Sequence, residues 1–118
     1  MHDYRPLRVY KLAIDITSET YRLTKTLPRS ERYGLAQQMN RASVSVASNI
    51  AEGAGRGDGR DFARFLRIAR GSACELEAQA TMAARVGLVD EESARVLREH
   101  VEKIKASITN LERRISLP

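Results

Sequence analysis

The sequence predicts an all-α protein, an antiparallel up-down-up-down four-helix bundle occupying residues 1–118 as a single domain. Three observations carry this. Ala, Leu, Arg and Glu abound while Trp is absent, Phe occurs twice and Pro three times, a composition whose side chains lose little freedom in helices. Four stretches repeat apolar residues at alternating steps of three and four, the spacing of a helix packed nearly parallel to its neighbours. Between them fall Pro28, a run of glycines at 53, 55, 57 and 59, and Gly87, which interrupt helices. At 118 residues the chain can build one core and not two.

The first seam is Val9, Ala13, Ile16, Thr20, Leu23 and Leu27. Pro28 turns Leu27 away from helical geometry and closes that helix, and Ser30 and Glu31 are placed to start the next by capping free amides. Helix two runs to about Ala54 on the seam Leu35, Met39, Ala42, Val46 and Asn49; the SVSVAS alternation imitates a strand, but the longer helical period outweighs it. The glycine run ends it with a cap and a tight turn. Asp58 then caps helix three, whose seam Phe62, Leu66, Ala69, Ala73, Leu76, Ala80 and Ala83 is mostly alanine and permits close approach. Gly87 closes it. Asp90 caps helix four, with Glu91 and Glu92 in its first turn and the seam Ala94, Leu97, Val101, Ile104, Ile108, Leu111 and Ile115.

Several functions are disfavoured at once. No apolar run approaches bilayer length, and the start MHDYRPLRVY lacks the apolar core of a signal peptide, so a cytoplasmic protein without a membrane partner is expected. The single Cys74 cannot form an intrachain disulfide and is expected as a small core residue. His2 and His100 are too few for a metal cluster or a nucleophilic triad, and the carboxylates sit at caps or on the surface. No metal, cofactor, small-molecule substrate or catalysis is therefore expected. The glycine turn lacks the Lys-Ser or Lys-Thr end of a phosphate loop and follows a helix rather than a strand.

The charge points elsewhere. A net +5 is uneven: residues 1–70 hold thirteen Lys/Arg against seven Asp/Glu, a balance of +6, while the remainder stands at −1. An acidic partner follows, nucleic acid first. Arg60, Arg64 and Arg67 stand at i, i+4 and i+7 on helix three, with Arg56 in the turn before them and Arg70 beside them. Such a ridge can track a phosphate backbone, although a solvated helix face has the same pattern. Interleaved exposed aromatics are not evident, so binding is expected to follow shape and charge rather than stacking.

The segment Leu35–Gly55 carries only two charged residues, Arg41 and Glu52, and is expected to be buried. Eleven residues apart, those two would stand roughly 16 Å apart along a helix and cannot pair with each other. Gln38, Arg41, Ser45, Ser48 and Glu52 form a polar stripe, and a buried network of Gln38, Arg41, Asn49, Glu52 and Glu75 is expected. It would lie at a subunit contact or around a pore, or else inside one bundle with Arg41 reaching Glu75 or Glu77. Helix three has a second stripe, Phe65, Ile68, Ser72, Glu75, Gln79 and Met82. One bundle core cannot absorb both stripes, which favours contact with another subunit over a broad inner layer.

Glu31-Arg32-Tyr33-Gly34-Leu35, Gln38 with Arg41-Ala42, Asn49-Ile50-Ala51-Glu52-Gly53, and Ala69-Arg70-Gly71-Ser72 with Glu75-Leu76-Glu77 share one order and spacing. Through them nearly the whole chain resembles the bacterial four-helix bundle family that includes proteins encoded in intervening sequences of 23S ribosomal RNA. Tyr10 stands where that family often has tryptophan, and Leu27 where phenylalanine often precedes the proline. The resemblance implies a ring-like homopentamer. It also links the chain to the accessory variability determinant of diversity-generating retroelements, a basic relative that binds nucleic acid and a reverse transcriptase. The expected function is a non-enzymatic oligomeric bundle that binds structured RNA or DNA through Arg56, Arg60, Arg64, Arg67 and Arg70. The alternative is a scaffold docking an acidic protein partner such as a reverse transcriptase.

Overall fold

The seams expected from the sequence are the faces the helices bury. The computed structural model describes residues 5–116, in the order α1 (Arg5–Thr24), a 3-10 turn (Arg29–Glu31), α2 (Leu35–Ala54), α3 (Gly59–Arg85) and α4 (Glu91–Ser116). His2 lies outside the described residues. Each helix packs on the one before it, and α4 closes against α1, giving an up-down bundle of 48 × 23 × 18 Å. Met39, Val46 and Ile50 of α2, Leu66 and Leu76 of α3, and Leu97, Ile104 and Ile108 of α4 fill the centre. The seam alanines of α3, Ala69, Ala73, Ala80 and Ala83, are all but inaccessible and let α2 and α4 approach closely on either side.

Helix ends follow local chemistry. Asp58 caps α3 by accepting from the Arg60 amide at 2.8 Å, and Asp90 accepts from the Ser93 amide at 3.4 Å. In the glycine run only Gly57 takes a left-handed conformation, with φ of +74°. Gly53 serves packing instead: a Cβ there would stand 2.8 Å from both Phe62 and Phe65, so its absence brings α2 against α3. The start of α2 differs from expectation. Pro28 leads into the 3-10 turn, Gly34 becomes the N-cap, and Glu31 acts from upstream by accepting from the Leu35 amide at 3.3 Å.

Polar ties join neighbouring helices. Thr17 Oγ1 donates to the Ser43 carbonyl at 3.1 Å, and Thr24 Oγ1 donates to Asn40 Oδ1 at 2.8 Å, both between α1 and α2. Lys105 of α4 reaches Glu77 of α3 at 3.0 Å and Glu102 at 2.9 Å. Burial pushes the Glu77 carboxyl above its ordinary value, while the hydrogen bond that Lys105 donates to Glu102 keeps the amine protonated beyond the usual lysine range. Cys74 is exposed rather than in the core, because it lies one 100° helical step past the seam residue Ala73. Among the described residues no helix is long and apolar enough to cross a membrane, and no group of His, Cys, Asp and Glu could hold a metal ion.

Candidate functional site

The α3 arginines do not form one free row. Arg56 Nε lies 3.3 Å from Glu52 and 3.7 Å from Asp61, and Arg64 Nε lies 3.1 Å from the other oxygen of Asp61. Both guanidinium groups also cover the Phe65 ring, at 5.1 and 4.5 Å from its centroid. Arg67 and the half-buried Arg70 turn toward α4 and share Glu112, at 3.3 and 2.5 Å. Arg60 is exposed, with no carboxylate in ion-pair range among the described residues. The exposed Arg56 and Arg64 pairs hold their partners by about 1 kcal/mol or less, so they reduce the field of the ridge without locking it, whereas the Arg70–Glu112 pair is part-buried.

The expected buried network is not present within one chain. Gln38, Arg41, Glu52 and Glu75 are exposed, and only Asn49 is partly buried and bonded, donating to the Ser45 carbonyl at 2.8 Å and to its hydroxyl at 3.0 Å. Ser45 in turn shares a 2.7 Å hydrogen bond with Ser72 across α2 and α3. The reason is rotational. Met39, Ala42, Val46 and Ile50 take the inner face of α2, which turns Arg41, Val44, Ser48 and Glu52 outward. Burial accounts for the uncharged residues of the inner face, while Arg41, Ser48 and Glu52 lie on the outer face of a single chain. Arg41 reaches neither Glu75 nor Glu77; Glu52 pairs with Arg56. The second stripe of α3 is divided likewise: Gln79 is buried with its Oε1 unpartnered, Phe65 and Ser72 are half-buried, and Ile68, Glu75 and Met82 are exposed.

A basic and aromatic shoulder lies where α1 turns into α2, at the opposite end from the ridge. Tyr21 and Lys25 come from the end of α1, Arg29, Arg32 and Tyr33 from the turn, and Gln37, Asn40, Arg41 and Val44 from α2. They line two adjoining open depressions of about 510 and 380 Å³ that share Tyr21, Arg32 and Asn40. Among the described residues no carboxylate lies within 4.0 Å of the charged ends of Lys25, Arg29, Arg32 or Arg41. Tyr33 is 78% exposed, Tyr21 42%, and the Arg32 guanidinium lies 5.7 Å from the Tyr33 centroid. The expectation of no interleaved exposed aromatics is thereby corrected. The signal was present in TYRLTKTLPRSERY, where Tyr21 and Tyr33 bracket Arg22, Lys25, Arg29 and Arg32.

The model of the 23S rRNA-intervening sequence protein family matches residues 5–110, nearly the full length. The chain belongs to this family. A solved structure of a protein of unknown function from the S23 ribosomal protein family of Bacteroides thetaiotaomicron is similar, with 19% identity and a TM-score of 0.85. The match covers 92% of this chain and 98% of that one, which supports the four-helix architecture. No curated protein matches the chain.

Proposed function

We propose that this family member is a non-enzymatic, cytoplasmic helical bundle that assembles with copies of itself and binds nucleic acid, structured RNA or DNA, through its arginine-rich surface. The observation that carries this reading is the shoulder, where Lys25, Arg29, Arg32 and Arg41 have no carboxylate in ion-pair range among the described residues. Uncompensated cations on one face create the field to which phosphates respond. The ridge of Arg56, Arg60, Arg64, Arg67 and Arg70 is a second binding surface, available when phosphate displaces its weakly held carboxylates. A family described by an intervening sequence of 23S rRNA makes RNA the first ligand to test.

Assembly is supported by apolar residues left on the outer side of α3, where Ile68 and Met82 are 42% and 50% exposed. The homopentamer implied by the family resemblance would cover such a face. A monomer by light scattering at micromolar concentration would remove this part of the reading. Val44, exposed beside Arg41, favours the second reading, a scaffold that docks an acidic protein partner such as a reverse transcriptase.

Titration of a labelled RNA hairpin decides between the two. Affinity should fall steeply between about 50 and 200 mM salt, and Arg64→Ala with Arg67→Ala should weaken it and flatten the salt slope by about one unit for each phosphate no longer neutralised. No binding at the low-salt end would leave the scaffold reading standing.

A further inference from the structure

The shoulder has a feature that general attraction to phosphate does not use. Tyr21 and Tyr33 present aromatic faces to solvent beside the same unpaired cations. Inside a duplex the faces of the bases are already stacked on one another, so exposed rings serve only bases that have left a helix. Resting on the nucleic-acid reading, we propose that the shoulder binds single-stranded RNA, with bases stacked on Tyr33 and Tyr21 and phosphates held by Arg29, Arg32 and Arg41.

The local geometry suits that ligand. Arg29 and Arg32 stand three residues apart across a 3-10 turn, so their side chains leave from the same side with about 6 Å of rise between them, a step suited to successive phosphates of an extended strand. Arg32 also lies over one face of the Tyr33 ring, which sets a planar cation against it and assigns the opposite face to a base. On the floor, Thr24 donates to Asn40 Oδ1, which fixes the Asn40 amide and leaves its NH2 as a donor for a base edge or a 2′-hydroxyl. Gln37 adds a second amide that can both donate and accept. A 2′-hydroxyl does the same, and it is the group that separates RNA from DNA. An acidic peptide would satisfy the cations but not the rings, since Val44 is the apolar aliphatic member of that depression.

The test uses the intact protein and labelled oligouridylate of about 12 nucleotides, compared with an RNA duplex of the same length, the matching single-stranded DNA, and oligoglutamate as competitor. Tyr33→Ala is expected to weaken oligouridylate binding about ten-fold, Tyr33→Phe to restore it, and duplex binding to remain as in the wild type. The DNA strand should bind more weakly than the RNA. At 78% exposure the Tyr33 ring can be removed without opening the core, and unchanged circular dichroism would verify this. If Tyr33→Ala and Tyr21→Ala each leave oligouridylate affinity within about two-fold while the wild type still binds RNA, the shoulder assignment is wrong and the nucleic-acid reading survives. Equal affinity for the DNA strand overturns the choice of RNA. Displacement of RNA by oligoglutamate, with both tyrosines immaterial, makes the shoulder a protein-docking face. Absence of binding to every nucleic acid overturns both readings.

Discussion

The ridge on α3 and the shoulder between α1 and α2 use the same arginine chemistry at opposite ends of a 48 Å rod, and differ in what surrounds it. On the ridge, Asp61 sits between Arg56 and Arg64, and Glu112 is shared by Arg67 and Arg70. On the shoulder, the neighbouring carboxylate of Glu31 is turned to a backbone amide of α2. Similar arginine chemistry thus gives unequal fields. Runs of basic residues in a sequence report potential only after their distant counter-charges are placed, and Glu112 lies 45 residues from Arg67.

The largest expected effect comes from neutralising the stronger region. Arg29→Gln, Arg32→Gln and Arg41→Gln together should lower single-strand affinity by about two to three orders of magnitude near 50 mM salt and flatten the salt slope by about two units. The ridge change Arg64→Ala with Arg67→Ala should cost less than about ten-fold. Fluorescence anisotropy across a salt series would measure both, and equal losses would erase the distinction between the two regions.

A smaller effect sharpens it from the other side. Asp61→Asn removes the counter-charge that Arg56 and Arg64 share, so duplex affinity should rise about three-fold and the salt slope should steepen by up to about one unit. An unchanged affinity would show that these exposed pairs do not mask the ridge.

The smallest effect sets the acid limit within which the comparison can be made. A hydrogen bond with Ser93 holds the Asp90 carboxyl below 3.8, and Arg95 holds Glu92 below 4.5. Lowered folded-state values contribute stability that is present above those ordinary values and lost as pH falls through the lower ones. Burial raises Glu77, so its charge opposes folding at neutral pH, and protonation relieves that opposition first. The melting temperature should therefore hold or rise slightly toward pH 5 and fall below about pH 4. Asp90→Asn should show a shallower acid decline; an equally steep one would mean that the cap does not set the acid limit.

Much of the fold was legible because it rests on periodicity. The seam residues Ala94, Leu97, Val101, Ile104, Ile108 and Leu111 are all buried, as their spacing requires, and the same holds for the seam of α3 from Phe62 to Ala83. The candidate site was less legible because it depends on rotation and on distant partners. Arg41 and Glu52 are expected at a subunit contact or inside one bundle, and the second placement fails because Met39, Val46 and Ile50 fill the inner face of α2. Tyr33 is exposed because a 3-10 turn replaces the early start of α2 that Ser30 and Glu31 suggested. Short-range capping rules choose among nearby helix starts only weakly, and one turn of difference decides which way a ring points.

Gly53 gives the bundle a fulcrum. With no side chain between them, α2 and α3 meet there through the Phe62 and Phe65 side chains, close to the first turn of a helix of 27 residues. That helix is a lever arm of about 40 Å, so a tilt of about 3° at the glycine displaces its far end by about 2 Å. A single methyl group added beside the ridge would therefore be felt at Met82, at the other end of the molecule, near the beginning of α2.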